Sequence, residues 1–275
     1  MIGQCLFRFA SLGWLFLVTA CTMVDLPPVP PKTPYRPSPD LRASSSHAQG
    51  DLTVAIPENR PPYYNGSHDN GIERDIIHEA FDLAGLHPEF MAVADRQKKY
   101  DSGRFSIECV APVHEDFKLK SETYFTDPLV PYHYTPFTLK KSGVIIRDYG
   151  DLAGKKVEAF SFATRYLGPP FANMVPKMVI YSEHQNRSSQ TAMLLRGLID
   201  VLVIDRTMFQ FIRKSLIHSR ADDYDAEVVE SPLERVVDFK MGCHKEDVVK
   251  NFNKGLAMLR ANQRYDEIFK HYLSD

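Results

Sequence analysis

Leu52-Thr53-Val54-Ala55-Ile56, followed a turn later by Gly71-Ile72-Glu73-Arg74-Asp75-Ile76-Ile77, decides how this chain is read. The first run is short, apolar and rich in β-branched residues, the pattern of a strand buried on both faces. The second continues with apolar residues at Ile72, Ile76, Ile77, Ala80, Phe81 and Ala84, which share one side of a helix, and Gly85 stops it. A buried strand feeding an amphipathic helix is the first unit of an alternating α/β fold.

Working outward, strands are predicted around 89–93 and 105–111. Leu152 to Gly154 opens a second series, with a strand at 156–160, a helix at 188–198 and a strand at 201–204. A further strand covers 236–243. Two amphipathic helices close the chain, carried by Val248, Val249, Phe252, Leu256 and Leu259, then by Tyr265, Ile268, Phe269 and Tyr272. No repeat stands out. The alternation implies mainly parallel sheets flanked by helices, and such folds bind ligands beyond the carboxyl ends of their strands.

Composition narrows the function. The 275 residues are 44% hydrophobic and 25% charged with a net charge of −2, a soluble core-forming balance without the basic patch that nucleic-acid binding requires. The four cysteines form no CxxC pair, and the ten histidines form no HExxH, so neither a zinc ribbon nor a metalloprotease helix is indicated. GxSxG, SxxK and P-loop motifs are absent. His114 and Glu115 are adjacent acid–base candidates, but neighbours on a strand point to opposite faces. No catalytic residue, metal or cofactor is therefore expected.

At the amino terminus, Arg8 precedes an apolar stretch from Phe9 to Ala20, too short to span a membrane comfortably. Residues 1–20 read as an export signal. Val18-Thr19-Ala20-Cys21 looks like a bacterial lipobox, with Cys21 as the lipidated residue and the membrane as a partner. Thr22 after it suggests outer-membrane sorting on the periplasmic side of a Gram-negative envelope. Residues 21–50 hold seven prolines between Pro27 and Pro39 and then Ser44-Ser45-Ser46, a tether rather than a core. Extended at ~3.1 Å per residue it reaches on the order of 90 Å. Cys109 and Cys243 are expected as buried free thiols in separate strands, with pairing as the alternative.

Ordered landmarks then carry a resemblance. Pro61-Pro62-Tyr63 follows the first strand, and Gly71-Ile72-Glu73-Arg74-Asp75 opens a helix. Ser102-Gly103-Arg104, Phe125-Thr126-Asp127-Pro128 and Asp151-Leu152-Ala153-Gly154-Lys155-Lys156-Val157 come next. Leu195-Arg196-Gly197-Leu198-Ile199-Asp200 with Asp205, and Asn262-Gln263-Arg264-Tyr265-Asp266, complete the set. In this order they resemble the family-3 extracytoplasmic solute-binding proteins, receptors of amino-acid ABC importers, over about 225 residues.

The resemblance implies an α/β fold of two lobes, 51–139 with 237–275 and 140–236, closing by hinge motion over a ligand. It implies a monomer that binds a small polar solute and hands it to an ABC permease. The alternatives are a sensor or envelope accessory protein and, less favoured, a dehydratase-like enzyme. The residues it places in the cleft are Arg60 for an anionic group, Tyr63 as a wall, Lys118, Phe160, Thr164 with its neighbouring amides, Arg165, and Asp205, for which a helix N-cap ahead of residues 207–212 is the alternative. The family's carboxylate-gripping arginine is missing: its place falls on Lys118 or Leu119, depending on the direction of counting. Phe162 replaces a usual glycine. These departures argue against an ordinary α-amino acid as ligand. Glu108, inside an apolar strand, is expected to have a local partner.

Overall fold

β1 (Thr53–Ile56) lies between β4 (Glu89–Ala92) and β5 (Cys109–Val113), parallel to both. This explains its unbroken apolar run, because Val54, Ala55 and Ile56 have no face left for water. The computed structural model describes residues 52–66, 68–114, 119, 122–219 and 224–273.

α1 (Ile72–Leu83) buries Ile72, Ile76, Ile77, Ala80 and Phe81, the side predicted from their spacing. Gly85 ends it at a φ of 75°, a left-handed conformation that glycine adopts without steric cost. α1 packs on α7 (Glu246–Ala261) through a close approach at Gly255, where a Cβ would lie 1.8 Å from the Ala80 carbonyl oxygen. α8 (Arg264–Leu273) ties back to α1: Arg264 donates to both carboxylate oxygens of Glu79, at 3.0 and 3.2 Å.

A second parallel group consists of β8 (Lys156–Phe160) between β9 (Ile180–His184) and β10 (Val201–Asp205). Two long antiparallel strands, β7 (Val130–Leu139) and β12 (Arg235–Cys243), join the groups. The full order is β4-β1-β5-β12-β7-β10-β8-β9, with β6 (Tyr124–Phe125) on β12 and β11 (Val228–Glu230) on β7. β12 changes partner along its length, pairing with β7 from Arg235 to Phe239 and with β5 from Lys240 onward. β7 pairs with β10 from Tyr134 to Phe137. The sheet therefore has a first half around β1 and a second half around β8, with β7 and β12 running between them. Helices cover both, and none among the described residues is long and apolar enough to cross a membrane.

Two expectations are corrected. The strand predicted at 105–111 runs over Cys109–Val113, because Ser106 adopts a left-handed φ of 49° and turns the chain first. Glu108 lies just before it, 8% exposed, accepting from the Lys245 amide and Nζ, both at 3.0 Å. Its partner is local. Cys109 and Cys243 form a disulfide with an S–S distance of 2.09 Å, not two free thiols. They face each other directly across the antiparallel β5–β12 pair, 134 residues apart in sequence. That register brings their side chains together.

The Cys21 lipidation site and the 21–50 tether lie outside the described residues, as do Glu115 and Lys118.

Candidate functional site

The junction of the two halves collects most of the singled-out residues. Arg60 and Tyr63 flank the turn of a small hairpin, β2 (Asn59–Arg60) and β3 (Tyr64–Asn65). Gly71, at a φ of 144°, closes this turn against α1: a Cβ there would meet the Tyr63 carbonyl oxygen at 2.3 Å. Tyr63 is completely buried, and its hydroxyl donates to Asp205 Oδ1 at 2.7 Å, linking the first half to the second.

Asp205 ends β10 and immediately precedes α6 (Arg206–Ser219). Its Oδ1 also accepts from the Met208 amide at 2.9 Å, an N-cap, and its Oδ2 accepts from the His133 amide at 2.9 Å. Burial raises its pKa, outweighing these three donors and the Arg60 charge. This carboxylate caps α6 and bonds across the junction, and its acceptor sites are largely spent.

Aromatic rings fill the space around this link. Tyr63 and Tyr132 are 4.3 Å apart between centroids, Tyr132 and Phe239 4.8 Å, and Phe160 stacks on Tyr134 at 3.7 Å. The Arg60 guanidinium lies 4.7 Å above the Tyr132 ring and 5.5 Å from that of Phe239. Burial opposes its charge, but Tyr132, Tyr134, Glu73 and Tyr63 outweigh burial and hold its pKa above the usual range. Among the described residues its guanidinium has no hydrogen-bond or salt-bridge partner.

Thr164 lies at the start of the short helix α3 (Ala163–Tyr166). The amides and hydroxyl there were expected to receive an anionic group from a ligand. They hold the carboxylate of Glu183 on β9. Glu183 accepts from the Phe162 amide at 2.6 Å, the Thr164 amide at 3.0 Å, the Thr164 hydroxyl at 3.1 Å and the Tyr181 hydroxyl at 2.6 Å. Burial alone would raise its pKa, but these bonds hold it below the usual carboxylate value. Phe162 adopts a left-handed backbone, at a φ of 66°. Such a conformation costs a non-glycine residue about 1–2 kcal/mol. Three of Glu183's four bonds fix this very loop. Arg165 points outward and is exposed.

Besides Glu183, five residues here were not picked out as site residues from sequence: Glu73, Tyr64, Tyr132, Arg96 and Arg187. Glu73 is completely buried in the first turn of α1, and neither carboxylate oxygen has a hydrogen-bond partner. The Tyr64 and Tyr132 hydroxyls are also buried and unpartnered. They lie near enough to favour the Glu73 charge, yet without hydrogen-bond geometry. Burial pushes Glu73 up to about 7 despite the Arg60 charge. Arg96 donates to the Ala111 and Pro112 carbonyls, both at 2.9 Å. Arg187, the first residue of α5 (Arg187–Leu195), is lowered to about 10 by burial and then by the charge of Arg60. Its described hydrogen bond is a long one, 3.4 Å to Gln190.

The signal for Glu73 was readable. It shares its helix face with Ile76, Ile77 and Ala80, so a charged residue sits on a buried stripe. Glu183 and Arg187 gave no such signal, since their roles depend on which strands and loops are neighbours. His114, by contrast, is half-buried, its ring 5.4 Å from that of Tyr166. Among the described residues no cluster of histidine, cysteine and carboxylate side chains is arranged to hold a metal. A separate hollow of about 580 Å³ lies between α6 and the β7–β11 pair, lined by Phe137, Phe209, Arg213 and Val228. It shares none of the converging charges of the junction.

No protein-family model matches the chain, and no curated protein matches it. Solved structures do. The GluR0 ligand-binding core in complex with L-glutamate is 13% identical with a TM-score of 0.65, covering 83% of this chain and 100% of its own. A histidine kinase sensor domain with similarity to periplasmic binding proteins is 17% identical with a TM-score of 0.63, covering 82% and 96%. A mutant of the arginine-binding protein ArgBP from T. maritima is 18% identical with a TM-score of 0.61, covering 82% and 96%. With its strand order and flanking helices, the chain has the α/β fold of periplasmic binding proteins.

Proposed function

We propose that this protein is an extracytoplasmic solute-binding protein of the family-3 type, holding a small polar solute between lobes 51–139 with 237–275 and 140–236. The observation that carries the reading is the unspent polar capacity at the junction. Glu73, Tyr64 and Tyr132 keep buried polar atoms without partners, and the Arg60 guanidinium lies over the Tyr132 ring, close enough for its charge to act on Glu73. Buried polar groups are costly unless something satisfies them, and a bound solute does so. Similar folds in the arginine-binding protein and in GluR0 with L-glutamate support a solute of amino-acid size.

The wider reading follows from the amino terminus. Residues 1–20 direct export, Cys21 carries lipid, and residues 21–50 tether the binding unit to the periplasmic side of the envelope. The protein acts as a monomer that delivers its solute to an ABC permease, and it is not an enzyme. Mass analysis of the mature chain tests the anchor: diacylglycerol on Cys21 is expected, and Cys21→Ala abolishes it.

A second reading, a sensor or envelope accessory module, is favoured by one feature. Tyr63 and Asp205 already bind each other across the junction, and Glu183 already fills the Thr164 amides. A thermal-shift screen over amino acids, polyamines, small organic acids and short peptides decides between them. A true ligand at 100 times its dissociation constant adds ~2.7 kcal/mol of stability. A screen without any shift refutes solute binding and leaves the accessory role.

A further inference from the structure

We propose that the hollow between α6 and the β7–β11 pair is a second binding site, taking an amphipathic carboxylate with an apolar body and one anionic head. It lies outside the junction and does not depend on how the junction is read. Its walls follow from spacing. Gln210, Arg213, Lys214 and Ile217 recur at intervals of three and four residues and so share one side of α6. Across from them, Glu230 pairs with Phe137 in the antiparallel β11–β7 register, and Val228, two residues earlier, points to the same face. The helix side and the sheet face bound about 580 Å³, room for one small molecule.

The lining divides into an apolar floor and a basic rim. Phe137 and Phe209 are buried and stacked, 3.8 Å apart between centroids, and the half-buried Ile217 and Val228 extend the apolar surface. An apolar body laid on this floor takes both surfaces out of water. Arg213, Lys214 and His218 make the helix side of the rim basic. Glu230, the one acid among the described lining residues, accepts from Arg206, so its charge is already met. Arg213 is the partner for the anionic head. Its Nη2 donates to the Ala226 carbonyl at 3.2 Å, which holds the guanidinium against the chain entering β11. Its Nε is buried without a partner. A carboxylate on that edge of the guanidinium supplies the acceptor this donor lacks. An ammonium head meets repulsion from Arg213 instead, and an anion without a body leaves the floor wet.

The test is an NMR titration of the full chain with octanoate, octylammonium and acetate, read at the arginine Nε–Hε signals. Octanoate is expected to move the Arg213 signal saturably and to leave that of Arg60 in place, which separates this site from the junction. Octylammonium and acetate are expected to move neither. By calorimetry, Arg213→Gln weakens octanoate roughly 10-fold, the worth of a charge-assisted hydrogen bond. Gln210 is exposed on the rim, so Gln210→Glu remains informative if Arg213→Gln fails to fold. It weakens octanoate by bringing a like charge to the head, and added salt shrinks that loss. Three results each overturn the inference: no saturable binding of octanoate, equal binding of octylammonium, or octanoate binding unchanged in both variants. A shift of the Arg60 signal with that of Arg213 unmoved also overturns it, and assigns octanoate to the junction.

Discussion

The two halves of the sheet share a layout, three parallel strands beside a long antiparallel pair, and differ in how they treat buried polar groups. In the second half the carboxylates are supplied with donors, although Tyr63 and His133, two of the three donors to Asp205, come from outside it. Glu158, 4% exposed, accepts from Ser182 and from Gln190 at 3.0 Å, Glu183 accepts four hydrogen bonds, and Asp205 accepts three. In the first half Glu73, Tyr64 and Tyr132 are equally hidden and have none. The first half also holds the disulfide. A buried carboxylate is therefore not a functional signal by itself. The number of its partners separates Glu158, which is architecture, from Glu73, which is capacity in reserve.

The largest expected effect tests the staple. Opening Cys109–Cys243 by reduction, or by Cys109→Ser with Cys243→Ser, releases a loop of 134 residues and lowers stability by about 4–5 kcal/mol in chemical denaturation. A loss under about 1 kcal/mol means that the first half holds its register without it.

Glu73 comes next. Its pKa rises from 4.5 to about 7 on folding, so the folded chain holds this proton more tightly than the unfolded one. Its contribution to stability therefore falls as pH increases from about 4.5 to about 7, and then levels off. Asp205 and Asp75 are raised too and act in the same direction, so the difference between wild type and Glu73→Gln isolates the effect. That difference should change by about 3 kcal/mol across the window. A flat difference curve means that Glu73 has a partner, and the contrast between the halves dissolves.

Glu183→Ala removes four hydrogen bonds and should cost about 2 kcal/mol. Added acetate should recover part of the loss by entering the vacated amides, and no recovery means that the loop collapses instead of forming an anion site. The smallest change is Tyr63→Phe, which deletes the bond across the junction and leaves Asp205 its two amide donors, for about 1 kcal/mol. Faster hydrogen exchange at the His133 amide is the accompanying readout. Exchange unchanged there means that the halves are held together by ring packing alone.

How much of this was legible in sequence follows from the range of each interaction. α1, α7 and α8 announced themselves because their buried faces repeat every three to four residues, and β1, β8 and β10 because they are buried on both faces. β7 did not, since Pro131 and Pro136 interrupt a run that nevertheless pairs along its length. β9 is a half-exposed edge strand of mixed polarity, and Glu183 went unnoticed with it. Arg187 was placed just outside its helix, one residue ahead of the predicted start. Arg60, Tyr63, Phe160 and Asp205 were singled out by position and do converge. Position suggested the helix cap of Asp205 but not its bonds from Tyr63 and the His133 amide, nor the closure of the Thr164 loop by Glu183, because those partners come from elements 19 to 142 residues away.

The most direct test of a solute held between the halves is the arginine Nε–Hε NMR spectrum of the full chain, titrated with whichever compound raises its melting temperature most. The signal of Arg60 should shift and saturate with the compound. Saturation with that signal unmoved, and the changes confined to another arginine such as Arg213 beside the outer hollow, would place the site elsewhere and contradict the account.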